Sequence, residues 1–406
     1  MKILQVNNFH YLRGGSDRIY LETGAMLERQ GHDVMWFSGE HAENPPNAYS
    51  EHFPETADLI ELKPRDLPRY IYNFDAAHSL ERMIAERGVP DVAHLHIYHG
   101  GLTTSILRVL RRHNVPVLQT AHEYKLACPI SSLERSGSPC HSCLSGSRLN
   151  ILRHKCKNNS FLHSAAMWAE ATVSRQMGDI RLLDGVFCIS EFQKDILRRA
   201  GVPDHKLWLC NNFVDTTTFA PVHSTEKQDY FLYFGRIEKL KGVETVVKAA
   251  RATGLPIKFA GSGNWQGELG KAIADLRNAE HLGHVTGEAL SRLVAKARAV
   301  LVPSEWEEPF GLTVIEAMAS GTPVIASRIG AIPELFEDGE HGILFEPGDF
   351  HSLALALNGL DRERAIAMGQ RAHHYAVERY KPEAYLDRLL SVYQHFKSYS
   401  GVNVLH

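Results

Sequence analysis

The sequence predicts an α/β protein of two doubly wound domains, each a parallel sheet with helices packed on it. Three observations carry this. The chain has 406 residues, beyond the length at which a single hydrophobic core keeps growing. Short apolar runs alternate with amphipathic stretches from end to end, the pattern of repeated βα units. Between 215 and 230 the sequence turns polar, with Thr216-Thr217-Thr218, Pro221 and the run from His223 to Gln228, as interdomain linkers do.

In chain order, the apolar runs predict strands at 2–9, 33–38, 91–97, 116–120, 185–189 and 206–210 in the first half. In the second half they fall at 230–234, 256–260, 299–302, 323–326 and 342–345. Periodic segments between them, such as 243–251 and 312–319, predict helices. The expected domains are 1–215, with a Cys-rich insertion at about 125–160, and 216–381, followed by a C-terminal segment 382–406. Ligands of such sheets sit beyond the carboxyl ends of the strands, so motifs directly after strands matter most.

Composition narrows the function. The 44 basic against 47 acidic residues provide no global field for nucleic acid. Six cysteines are too few for a disulfide-stapled scaffold of this length. The apolar run at the N-terminus is too short for a signal peptide, and no run approaches the length of a transmembrane helix. The expectation is a cytoplasmic enzyme or binding protein.

The first chemical motif is Phe234-Gly235-Arg236-Ile237-Glu238-Lys239-Leu240-Lys241-Gly242. It runs from a predicted strand into a predicted helix, so Arg236 and Lys241 project near a helix N-terminus. Arginine grips phosphate oxygens bidentately, lysine adds a point charge, and the helix dipole favours the anion. A solvated surface turn is the plain alternative.

The second runs from Pro303 through Glu308, Pro309, Phe310, Gly311 and Leu312 to Glu316-Ala317-Met318. Glu308 precedes a helix and Glu316 lies about two turns inside it, flanked by apolar Val314, Ile315, Ala317 and Met318. A carboxylate in such a run is rarely left without a partner. Retaining glycosidases hold their two carboxyls about 5–5.5 Å apart, whereas eight helical residues span roughly 12 Å. The pair therefore suits recognition of different parts of one ligand.

Together these segments resemble the retaining nucleotide-sugar glycosyltransferases of the GT-B fold, family 4: two Rossmann-like domains facing across a cleft. The resemblance extends over nearly the whole chain. It includes Gly14-Gly15-Ser16-Asp17, Thr120-Ala121-His122-Glu123, Ser190-Glu191, Asn212-Phe213-Val214-Asp215, Gly261-Ser262-Gly263 and Gly321-Thr322-Pro323-Val324. It implies that Arg236 and Lys241 hold the donor diphosphate and stabilise the charge that develops on it. Glu316 would bind the ribose, Glu308 the sugar hydroxyls, and backbone groups of Phe310, Gly311 and Leu312 the sugar and phosphate. His122 would contact the donor sugar, Gly14 and Gly15 would admit the phosphates, and Gly261 would join the donor site.

The implied partners are a nucleotide-diphosphate sugar, with UDP or GDP as the nucleotide, and a saccharide or lipid-linked acceptor. No catalytic metal is implied, and no Asp-x-Asp pair occurs. The final helix, about 382–399, would pack back on the N-terminal domain. Phe213 stands where the family usually has glycine, Glu123 where aspartate is common, and Asp17 where glutamate follows the paired glycines. Polysaccharide or glycolipid assembly at the inner face of the cytoplasmic membrane is the expected setting. The rivals are a nucleotide-sugar epimerase on a similar shell and a non-catalytic zinc-containing scaffold.

Other signals are read separately. Ser190-Glu191-Phe192-Gln193 is a capping box. His94, His96 and His99 form a polar strand terminus, expected on the acceptor side. Cys128, Cys140, Cys143 and Cys156 form a candidate structural zinc set, with reduced thiols, a disulfide or an iron–sulfur site as alternatives. Cys188 and Cys210 fall on predicted buried strands. Lys125, Arg135, Arg148, Arg153, Lys155 and Lys157, against only Glu134, make the insertion a candidate surface for anionic lipid.

Overall fold

A computed structural model describes residues 1–57, 64–144 and 146–400. Residue 145 of the expected insertion and 401–406 of the expected C-terminal segment lie outside the described residues. The chain divides into two units. Unit one comprises Met1–Leu133, His141–Cys210 and the chain from Leu386 onward; unit two comprises Glu134–Cys140 and Asn211–Tyr385.

Unit one opens with β1 (Lys2–Val6), β2 (Asp33–Phe37), β3 (Val92–Leu95) and β4 (Val117–Ala121). A small hairpin follows in the chain, β5 (Glu134–Arg135) with β6 (Ser138–Pro139). The sheet then resumes with β7 (Gly185–Cys188) and β8 (Leu207–Leu209). Its order is β2-β1-β3-β4-β7-β8, parallel throughout. Every residue of β3, β4 and β7 is buried, as in a parallel sheet covered on both faces.

Unit two holds β9 (Phe231–Phe234), β10 (Ile257–Ala260), β11 (Ala279–His281), β12 (Ala299–Val302), β13 (Val324–Ser327) and β14 (Gly342–Phe345). Their order is β11-β10-β9-β12-β13-β14, again parallel. This is the dinucleotide-domain arrangement, third strand to first, then fourth to sixth. Its direction reverses between β9 and β12, whereas in unit one it reverses between β1 and β3. Such reversals open a crevice at the carboxyl ends of the strands.

Helix packing follows the apolar spacing. The helix Val243–Thr253 buries Val243, Val246, Val247, Ala249 and Ala250 in a core with Phe231, Phe259, Leu301, Ile325 and Leu353. Each buried Val, Leu, Ile or Phe side chain contributes roughly 1.5–3 kcal/mol. Gly254, in the left-handed region, ends it. The last helix, Pro382–Ser400, buries Leu386, Leu389, Val392 and Tyr393. Lys397 pairs with Asp91 at 3.1 Å, and Trp208 meets the rings of His395 and Phe396.

Candidate functional site

In unit two, the loops following β9, β10 and β12 approach one another closely. A Cβ at Gly261 would lie 1.8 Å from the Gly235 carbonyl oxygen, and one at Gly242 would lie 1.8 Å from that of Pro303. Both glycines have positive φ, so both steric and dihedral demands exclude other residues. The Ile237 N–H donates to the Ser262 carbonyl at 2.8 Å, and the Glu305 N–H to that of Leu240 at 2.8 Å.

This lacing sets one side-chain cluster. Glu308 Oε1 accepts from Lys241 Nζ at 2.6 Å and from Ser304 Oγ at 2.6 Å. Lys241 Nζ also stands 5.2 Å from the Trp306 ring. Thr245 Oγ1 donates to Glu305 Oε1 at 2.6 Å, holding the loop from the helix side. Arg236 is largely exposed and pairs with Glu238 at 2.8 Å. The structure thus brings Lys241 and Glu308 directly together at the strand-order reversal and leaves Arg236 on the rim.

The helix Leu312–Ala319 begins after Gly311, which has no side chain to cap it. Its first-turn amides form an electropositive end suited to an anion. Phe310 is buried edge-on against Tyr380, ring centroids 6.0 Å apart, which fixes the entry to that turn. Glu316 is buried between Ile315 and Ala317.

Unit one presents a different chemistry. Gly14 precedes the helix Gly15–Arg29 without a side-chain cap, and a Cβ there would meet nothing within 4 Å among the described residues. The fold itself makes no demand for glycine at that position. Asn7 bridges the loops after β1 and β3: its Nδ2 donates to Asp17 Oδ1 at 2.9 Å, and its Oδ1 accepts from the Ile97 N–H at 3.0 Å. Burial raises the pKa of Asp17.

His122 follows β4 and heads a chain of hydrogen bonds running beneath the strand ends. Its Nε2 lies 2.7 Å from His96 Nδ1, with the two rings stacked. His96 Nε2 lies 3.1 Å from Gln5 Oε1. Tyr393 Oη lies 2.6 Å from His94 Nδ1, and His94 Nε2 lies 2.7 Å from Thr120 Oγ1. Burial lowers the pKa values of His94 and His122 to about 3 and that of His96 well below the usual range, so all three are neutral.

Neutrality assigns the protons. Gln5 Oε1 only accepts, so His96 carries its proton on Nε2 and offers a bare Nδ1. His122 therefore donates through Nε2, and its Nδ1 is left as an acceptor. The burial of His94, in β3, and of His96, just after it, corrects the expectation that they line an acceptor surface. The Tyr393 link spans 299 residues of sequence.

One of the six basic residues in the insertion is also corrected. Lys125 is buried, bonded to Glu170 at 2.7 Å and to the Pro129 carbonyl at 2.8 Å. Burial alone would depress its pKa, but the Glu170 carboxylate carries it above the ordinary lysine value. Arg148 donates to the carbonyls of Ala171 and Leu126. Arg135, Arg153 and Lys155 stay exposed.

The remaining motifs also find places. Ser190 Oγ accepts from the Gln193 N–H at 3.0 Å, while the Gln193 side chain reaches the Ile189 N–H and the Ala121 carbonyl beside His122. Cys128 is buried and Cys140, Cys143 and Cys156 are half-buried. Cys188 and Cys210 are buried, and burial pushes both thiols up to about 12.

The architecture and the two crevices define a GT-B protein. The solved sucrose-phosphate synthase from Thermosynechococcus elongatus superposes with a TM-score of 0.74 at 21% identity, covering 98% of this chain and 99% of that one. HepE of Anabaena, solved with UDP-glucose, superposes at 0.69 and 18% identity, covering 97% and 100%. Residues 13–218 match the model of Glycosyltransferase Family 4, and residues 215–379 that of Glycosyl transferases group 1. The chain belongs to glycosyltransferase family 4. The sulfoquinovosyl transferase of Arabidopsis thaliana is 29% identical over 228 residues, 51% of this chain and 42% of that protein. The chain spans about half the length of the curated relatives it matches.

Proposed function

We propose that this protein transfers a sugar from a nucleoside diphosphate donor to an acceptor hydroxyl, with retention at the anomeric carbon and without a catalytic metal. The observation that carries the reading is the Lys241–Glu308–Ser304 cluster beside the uncapped helix at Gly311, at the reversal of a Rossmann-ordered sheet. The solution of HepE with UDP and with UDP-glucose supports a donor of this class.

In this reading Lys241 and Arg236 neutralise the diphosphate and the helix N-terminus at Gly311 adds its dipole. Glu308 orients Lys241 and accepts from a donor sugar hydroxyl, and Glu316 binds the ribose. On unit one, His122 and the Gly14–Gly15 turn are proposed ligand contacts; His122 offers Nδ1 to a hydroxyl. The bond from the anomeric carbon to the phosphate oxygen breaks as the bond to the acceptor oxygen forms on the same face. The acceptor's proton passes to the departing phosphate.

The acceptor is proposed to be lipid-linked, met at an anionic membrane surface. Exposed Leu149 accompanies exposed Arg153 and Lys155 in the insertion, and exposed Phe161 and Leu162 open the helix that follows it, the amphipathic mixture such a surface needs. Structural zinc on Cys128, Cys140, Cys143 and Cys156 is proposed as that segment's source of order. In support, Ser131, Leu133, Ser136, Lys155, Asn158 and Asn159 all hold positive φ there, a costly backbone for a region with few buried apolar residues.

Thermal shift with UDP, GDP, ADP and their sugar conjugates tests donor binding, since only ligands of the folded state raise the midpoint. Incubation with labelled donor and a lipid-linked acceptor, with NMR of the product anomer, tests transfer. Epimerised nucleotide-sugar in place of transfer would overturn the reading. Metal analysis of the purified chain, with and without Cys140→Ser and Cys143→Ser, tests the zinc proposal.

A further inference from the structure

A second cluster lies in unit one, away from the loops just described. The short turn Ser50–His52 packs against the helix Phe74–Arg87. That helix leads into the start of β3, so its last turn sits toward the amino ends of the strands, opposite the crevice. There His52 Nε2 faces two carboxylates, 3.6 Å from Glu51 Oε1 and 3.5 Å from Glu86 Oε2. The His52 side chain is 1% exposed, and among the described residues neither ring nitrogen has a hydrogen-bond partner. One ligand atom from each of the three residues lies within 4.8 Å of the others.

These separations are too long for hydrogen bonds and need another explanation. If Nε2 carries the proton, it fails to reach either acceptor. If Nε2 is bare, its lone pair faces two anions. A cation resolves both cases. Ligands held tetrahedrally at about 2.1 Å from a zinc-like ion stand roughly 3.4 Å apart, close to the spacing seen.

The surroundings suit the same role. Arg87 Nη2 donates to Glu51 Oε1 at 2.9 Å and to the Ala48 carbonyl at 3.0 Å, and Arg82 donates to the Glu51 carbonyl at 2.8 Å. Metal-bound carboxylates are commonly oriented by such outer hydrogen bonds. The mixed nitrogen and oxygen set favours zinc or a neighbouring transition ion over magnesium, which demands six oxygens in near-ideal geometry.

We propose that His52, Glu51 and Glu86 bind one divalent transition-metal ion that staples the turn Ser50–His52 to the helix Phe74–Arg87. The site is separate from the cysteine set and takes no part in transfer. Glu51 and Glu86 are 64% and 51% exposed, so Glu86→Gln leaves the fold intact. Calorimetry of the metal-free full chain with Zn2+ should show one more equivalent in the wild type than in Glu86→Gln, or an affinity at least tenfold higher. Co2+ should add a visible spectrum lacking thiolate charge transfer, lost in Glu86→Gln and in His52→Gln. Equal zinc binding by wild type and Glu86→Gln, or a cobalt spectrum from thiolates alone, would overturn the proposal.

Discussion

The two crevices share a topological rule and differ in electrostatics. At the β9/β12 reversal, Lys241 and Glu308 form a partly buried ion pair with Ser304, and Arg236 stands exposed beside Glu238. At the β1/β3 reversal, the groups below the strand ends are neutral: Gln5, His94, His96 and Thr120, with Tyr393 joining them. The first arrangement stabilises charge. The second fixes where a proton sits.

The largest effect should come from the charged side. Lys241→Ala or Glu308→Ala should lower kcat about 10²–10³-fold, the usual scale for removing one preorganised electrostatic group. Steady-state transfer assays check this. Normal turnover in Lys241→Ala would break the contrast. Glu316→Ala should weaken nucleotide affinity by roughly 10–100-fold, the range of a charged hydrogen bond, measured by calorimetry with UDP and GDP.

Acidification should single out the neutral side. Buried His94 and His96, like His10 with a pKa lowered to about 4, titrate below their unfolded value near 6.5. The unfolded chain then binds more protons, so their stability contribution is complete above about 6.5 and is lost as pH falls. Each should withdraw about 1.4 kcal/mol per pH unit in that window. Urea unfolding between pH 7 and 5 measures it; a midpoint flat across that range would show the chain is not neutral.

The smallest effect tests the proton assignment. His96→Phe should reduce kcat about tenfold and leave the His122 tautomers mixed in 15N NMR. His96→Asn keeps an acceptor near the Nδ1 position and should restore both in part. If His96→Phe leaves the tautomer of His122 unchanged, the hydrogen-bond chain has no positioning role.

Much of the fold could be read because strands buried on both faces are continuous apolar runs, as in β9 and β12. β11 escaped because Ala279-Glu280-His281 pairs only with β10 at the sheet edge and has no such run. The arms of β5 and β6, two residues each, are too short to show periodicity. Among the candidate residues, Arg236, Lys241 and Glu308 are marked by residue type and position after strands, and Glu316 by its apolar neighbours in a helix. Their pairing did not, because Lys241 and Glu308 are 67 residues apart and meet only when β12 lies beside β9.

The histidine chain left a fainter signal. His94 and His96 are spaced i, i+2 and so share one face of a strand, and Gln5 sits opposite His94 in register. Nothing in the local sequence announces Tyr393. The Glu305–Thr245 bond was missed for the same reason, being a contact between loop and helix that only tertiary packing creates.

The last helix bears on how the chain is made. Unit one is closed only by residues from Leu386 onward, whereas most of unit two is one continuous stretch, Asn211–Tyr385. On the ribosome unit one therefore lacks the Tyr393 contacts of Gln5 and His94 until residues beyond 385 emerge. Domains usually fold in order of synthesis; here the later one should mature first. Nascent chains stalled so that only residues through 385 have emerged should yield a protease-resistant unit two and a still-cleavable unit one.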